Sequence, residues 1–222
     1  MRYAKRAFAL LVTSLTVAVA CSASNADPGT VRADVWADNW FALYANGKLI
    51  KEDSVAYNTE RSFNSESFSF DINFPVQLAV IIKDFKEDDT GLEYIGSARQ
   101  QMGDGGFKAQ FVDTATGQTA TVSNDEWRCL AIHRAPLNKN CERSANPSAD
   151  CQSEIDTEPD NWKASAFDDS DWPRAIVHSE EAVRPHGGYS DVDWLTEARL
   201  IWTADLVIDN TILCRATIAA PD

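Results

Sequence analysis

Apolar and polar positions alternate along most of this chain with the two-residue period of β-strands. Residues 31–36 alternate, and residues 41–45 follow as a second apolar segment before Asn46-Gly47 and residues 48–50. Asn-Gly between apolar runs predicts a tight hairpin, because both central residues of that turn take positive φ. In residues 65–72 the side chains of Phe68, Phe70 and Ile72 share one face, the strict alternation of a half-buried strand. Residues 76–82 form a nearly continuous apolar run, as a strand covered on both faces does. Residues 83–91 are acidic and end in a turn. The same reading predicts strands over residues 107–112, 118–122, 127–132, 175–178, 200–202 and 211–218, with a turn at 114–117.

Strands thus recur roughly every ten residues with turn chemistry between them. No stretch holds a helical period for longer than about two turns. The pattern predicts an all-β fold, an antiparallel β-sandwich. Two segments break the rhythm. Residues 134–163 carry few apolar residues and no predicted strand, which is long for a connection in a compact domain and marks an insertion. Residues 180–193, with Pro185, Gly187 and Gly188, are expected to form a second long loop.

The N-terminus changes the picture of where the chain works. Arg2, Lys5 and Arg6 precede an apolar stretch at residues 7–20, and small residues follow. This predicts a signal peptide over residues 1–26, leaving residues 27–222 as one β-sandwich domain. Cleavage after Ala20 would also suit the pattern, and Cys21 sits where a lipoprotein would be acylated. A secreted or periplasmic protein is therefore expected, free or lipid-anchored through Cys21. Four cysteines remain, Cys129, Cys141, Cys151 and Cys214, and an oxidising compartment favours disulfides. Cys141 and Cys151 flank a turn-rich segment and are paired on that ground, which leaves Cys129 with Cys214.

Composition supports a packed domain: the chain of 222 residues is 44% hydrophobic and has seven Trp. It has 34 acidic and 20 basic residues, a net charge of −14. Loss of residues 1–26 removes three basic residues, leaving 17 against 34 and a charge of −17. That opposes binding to nucleic acid or anionic lipid. No later run is long enough to span a membrane.

Several elements resemble those of galactose-binding-like jelly-roll domains, and they come in that family's order. They are Ala37-Asp38-Asn39 with residues 41–47, the apolar strand at 78–82 and the glycine-rich return at 103–106. Asn124-Asp125-Glu126-Trp127 comes next, then Trp162 with Ala166-Phe167-Asp168-Asp169-Ser170-Asp171-Trp172. Leu200-Ile201-Trp202 and Cys214-Arg215 close the set. The resemblance covers about residues 32–218, the Phe-Asp-Asp-Ser-x-Trp string being its most specific part. It implies a jelly roll, here with a disulfide-stapled insertion at 134–163. It also implies a non-catalytic module for carbohydrate or another extracellular surface ligand. These motifs mark the scaffold, so no ligand residue carries over.

Candidate chemistry is read from the residues themselves. Tyr189 and Trp194 lie in the second long loop and suit stacking on sugar faces, whereas Trp36, Trp127, Trp172 and Trp202 sit at strands and are expected in the core. Gln100, Gln101 and Asp104 beside Gly103, Gly105 and Gly106 offer donors and acceptors for sugar hydroxyls, a tight hairpin or bulge being the alternative. Asp168, Asp169 and Asp171 are oxygen donors suited to Ca2+, although Asp and Ser also cap turns at such positions. Asp84, Glu87, Asp88 and Asp89 form a second acidic cluster, read first as a solvated turn. His133, His178 and His186 have no zinc spacing, but with the acidic charge they raise a periplasmic or extracellular metal-binding protein as the rival reading. A glycoside hydrolase using two carboxylates is the third; no G-x-S-x-G elbow is present, and the expectation is no enzyme.

Overall fold

The computed structural model describes residues 28–57 and 64–219; residues 1–26 and Cys21 lie outside them. Among the described residues the strands are β1 (Gly29–Asp38), β2 (Trp40–Ala45), β3 (Lys48–Glu52), β4 (Ser65–Ile72), β5 (Val76–Lys83), β6 (Leu92–Glu93) and β7 (Gln101–Met102). They continue with β8 (Gly106–Asp113), β9 (Thr119–Val122), β10 (Arg128–Arg134), β11 (Glu154–Ile155), β12 (Ile176–His178), β13 (Leu200–Trp202) and β14 (Asp209–Ile218). Two sheets carry the fold, ordered β12-β13-β8-β1-β4 with β9 beside β8, and β11-β10-β14-β5-β2-β3. Every pairing is antiparallel. The chain is an all-β sandwich.

Alternation decides which side chains meet between the sheets. Val31, Ala33, Val35 and Ala37 of β1 and Phe107, Ala109 and Phe111 of β8 form one inner face. Phe41 and Leu43 of β2, Leu78, Val80 and Ile82 of β5, and Ile212 and Cys214 of β14 form the other. Asn46 and Gly47 both have positive φ, 48° and 82°, as the hairpin between β2 and β3 requires. Trp36, Trp127, Trp172 and Trp202 are all buried.

Both outer faces are partly covered as well. Trp162 and Trp172 pack with Trp40, Ala42, Ala79, Ile81 and Leu213 on the back of the second sheet, so β5 is apolar on both sides. Trp36, Val183, Tyr189 and Leu200 form a cluster on the first sheet. A short helix α1 (Pro147–Asp150) lies in the insertion, and the segment 180–193, expected as a plain loop, folds into a short helix α2 (Glu180–Val183) and a 3-10 turn (Gly187–Asp191). Ser179 caps α2 by accepting the amide N–H of Ala182.

Both disulfides are as expected, Cys129–Cys214 and Cys141–Cys151. Cys129 and Cys214 are directly opposed on β10 and β14. The insertion at 134–163 differs from a strandless loop: β11 adds to the edge of β10, pairing Ile155 with His133. Asn138 braces the stapled turn, donating to Asp150 O and accepting from Gln152 N, each at 2.7 Å. No helix among the described residues is long and apolar enough to cross a membrane.

Candidate functional site

A polar cavity of about 610 Å3 opens at the end of the sandwich where β1 finishes and β8 begins. Asp38 and Asn39 come from the β1–β2 junction, Glu93, Tyr94 and Gln101 from the β6–β7 hairpin, Asp104 from the glycine-rich return, and Arg184 and His186 from the segment after α2. Four chain segments therefore contribute to one site. Gln101 Nε2 donates to Glu93 Oε2 at 2.8 Å across the hairpin, and Arg184 Nη2 donates to Asp104 Oδ2 at 3.3 Å across the mouth.

The backbone is unusual here. Only four non-glycine residues among those described have positive φ, and two of them are Asn, which tolerates it. The other two are Tyr94 and Arg184, both at φ 52° and both in this cavity wall. Such conformations cost on the order of 1 kcal/mol each and gather at functional sites. The guanidinium of Arg99 stacks 4.1 Å from the Tyr94 ring centroid, holding the ring at the rim.

The electrostatics follow from burial. Asp38 is pushed well above the usual carboxylate range, first by burial and then by Asp104 and Glu93. Asp104 is also raised by burial, with Arg184 and His186 acting against the shift. Asp84, behind the site, is raised by burial and by Asp38, Glu93 and Asp104. The site thus concentrates carboxyl groups that resist ionisation.

The sequence candidates divide between this cavity and the scaffold. Gln101 and Asp104 meet in it. Gln100 is instead buried, and its amide ties the hairpin to the insertion by donating to Glu142 O at 2.7 Å and Ser144 O at 2.9 Å. The glycines beside them serve close approach and not positive φ: a Cβ at Gly105 would lie 2.2 Å from the Trp202 indole, and one at Gly106 2.5 Å from Val183. Tyr189 is buried against Trp36, and its hydroxyl accepts from Lys108 Nζ and donates to Glu180 Oε1. Trp194 packs on Tyr189 with ring centroids 5.7 Å apart and donates to its carbonyl.

Asp168 accepts the amide N–H of Ser170 and closes a turn, Asp169 accepts from Arg215, and Asp171 is exposed. The three histidines are likewise dispersed: His133 is buried beside Asp89, His178 contacts Thr203 O, and His186 contacts Arg184 O. Among the described residues no three His, Cys, Asp or Glu side chains are grouped to hold a metal ion. The second acidic cluster departs from a solvated turn, since Asp84 is only 1% exposed. Its neighbours are structural: Asp88 accepts the Thr90 amide, and Glu87 accepts that of Ile95.

Sequence reasoning missed Asp38, Glu93, Tyr94 and Arg184 as site residues. Asp38 was visible only as part of a scaffold motif, and the short hairpin that carries Glu93 and Tyr94 has no alternating pattern to announce it. Comparison with family models, with curated proteins and with solved structures finds no match.

Proposed function

We propose that this chain is a secreted, non-catalytic binding module that takes a carbohydrate or another polyhydroxylated extracellular ligand in the end cavity. The observation that carries the reading is the convergence of Gln101 and Asp104 with Asn39, Glu93 and Tyr94 around one open polar cavity. Amides and carboxylates match sugar hydroxyls as donors and acceptors, and the Tyr94 ring supplies an apolar face. Export is supported by the basic and apolar N-terminal pattern and by two disulfides, which persist in oxidising compartments. The galactose-binding-like family is our inference for the scaffold, on the ordered motifs and on the sandwich they occupy.

The test is a glycan array probed with the mature, oxidised protein, with and without Ca2+. Binding that falls at least about tenfold in Gln101→Ala and Asp104→Asn, a loss of roughly 1.4 kcal/mol, is the expected result. Absence of any ligand in both conditions overturns it.

A hydrolase is the second reading, favoured by Asp38 and Asp104, whose carboxyls burial keeps protonated to higher pH, as a general acid requires. Turnover of aryl glycosides abolished by Asp38→Asn with the fold intact would establish that reading over ours.

A further inference from the structure

Asp38 lines the end cavity and Asp84 lies behind it, and ligand recognition by Gln101 and Asp104 uses neither. Asp38 ends β1 and Asp84 directly follows β5, and each is 1% exposed. Oδ2 of each is buried and has no hydrogen-bond partner. The backbone places them together. Asn39 N–H donates to Lys83 O at 2.8 Å, so Asp38 and Asp84 flank the same end of the β2–β5 ladder. Asn39 Oδ1 accepts the Phe85 amide at 2.5 Å and pins the turn from the other side. Gly103 closes over Asp84: a Cβ there would lie 2.0 Å from its Oδ2.

Buried polar atoms are almost always partnered, and a buried carboxylate oxygen without a donor is costly. Two such oxygens, carried by residues at the same end of one strand ladder with Glu93 and Asp104 nearby, leave a place for positive charge. The side chains present show where that charge is missing. Arg184 reaches Asp104 at 3.3 Å, while no Lys or Arg reaches Asp38 or Asp84 in an ion pair among the described residues.

We propose that Asp38, in the cavity wall, and Asp84, behind it, bind a hard divalent cation, Ca2+ or Mg2+. Two carboxylates completed by water and neutral oxygens are a donor set such ions accept; among the described residues no three acidic, His or Cys side chains are grouped to hold an ion. Sulfur donors are absent from the cavity wall, so a soft metal has no anchor there. The site differs from the loop of Asp168, Asp169 and Asp171, where Asp169 is already neutralised by Arg215.

The experiment is thermal unfolding of the mature, oxidised protein in EDTA, then in Ca2+, Mg2+ or Zn2+, without any glycan. A cation that binds the native state raises its melting temperature by mass action. We expect a rise of several degrees with Ca2+ or Mg2+, lost in Asp38→Asn and in Asp84→Asn and retained in Asp168→Asn. Should either variant fail to fold, the wild-type protein is read by Tb3+ emission excited through its aromatic residues. Saturation at one ion per chain and displacement by Ca2+ or Mg2+ are expected. The proposal is overturned if neither ion shifts the wild-type transition, if only Zn2+ does, if the shift survives both substitutions, or if Tb3+ is not displaced. No sugar is present in this test, so its failure is distinct from failure of the glycan array.

Discussion

The Arg215 guanidinium donates from Nε to Asp169 Oδ2 at 2.7 Å, joining the last strand to the segment that covers the second sheet. Its other nitrogens donate to the carbonyls of Trp162, Ala164 and Phe167. The Arg215 side chain is 1% exposed, so one buried cation organises the whole 162–169 turn. Trp162 and Trp172 then pack with ring centroids 6.0 Å apart over β2 and β5. This is the physical content of the Phe-Asp-Asp-Ser-x-Trp string: Asp169 is a counter-ion and Trp172 a plug.

Asp169→Ala should therefore destabilise the fold by about 1–3 kcal/mol. Breaking a fully buried pair costs more, and partial exposure of Asp169 reduces the loss. Urea denaturation measures it as a lower midpoint at unchanged m-value. A change within about 0.5 kcal/mol would show that the carbonyls alone hold the guanidinium.

The two disulfides should contribute unequally. They close loops with sequence separations of 85 and 10 residues. Loop-closure entropy predicts about 4.5 kcal/mol lost for a Cys129→Ala, Cys214→Ala double variant and about 3 kcal/mol for Cys141→Ala with Cys151→Ala. Equilibrium unfolding of both variants under one set of conditions gives the order directly.

Gly105→Ala should be costly although the residue does not need positive φ. The added methyl would meet the rigid Trp202 indole at 2.2 Å, and Trp202 is held by donating Nε1–H to Asp209 O at 3.0 Å. Overpacking of this kind costs roughly 1–3 kcal/mol. Gly117→Ala meets nothing within 4 Å but sits at φ 72°, so its cost is confined to backbone strain of about 1 kcal/mol. Melting curves of the two variants separate crowding from conformation.

His133 should make the fold sensitive to mild acid. Burial, and then Lys86, push its pKa down to about 4, and neither ring nitrogen is hydrogen-bonded. Between its unfolded value near 6.5 and its folded value, the unfolded chain binds the extra proton. Stability therefore falls as pH drops from about 6.5 to about 4, by on the order of 3 kcal/mol over the full window. Asp53 acts in the opposite sense. Burial raises its pKa to about 6, so its stabilisation is present below about 4 and is lost as pH rises through 6. Stability–pH curves should lose the acid decline in His133→Gln and the opposing rise toward acid in Asp53→Asn.

Most of the scaffold was legible along the chain. The alternation at residues 65–72 matches β4, and the apolar run at 76–82 lies within β5. Asn46-Gly47 marked its hairpin, and the cysteine pairing followed from proximity. A strand's period is local, so neighbouring residues suffice to show it. Strand β11 and helix α2 escaped the reading because each is held by contacts elsewhere, β11 on the edge of β10 and α2 through Val183 over Trp36 and Gly106.

The end cavity was legible only in pieces. Gln101 and Asp104 stood out beside their glycines, yet so did Gln100, Tyr189 and Asp169, which face inward or serve as braces. A side chain's chemistry is local, but the presence of a partner is not. Asp38 and Asp84 look in sequence like any acidic residue at a strand end. What isolates them is the antiparallel pairing of β2 with β5 and the approach of Gly103. The strands and the cysteine pairs can be read along the chain, because period and spacing are properties of neighbouring residues. Which carboxylates lose water together emerges from the packed fold alone, because burial depends on which distant segments close over them.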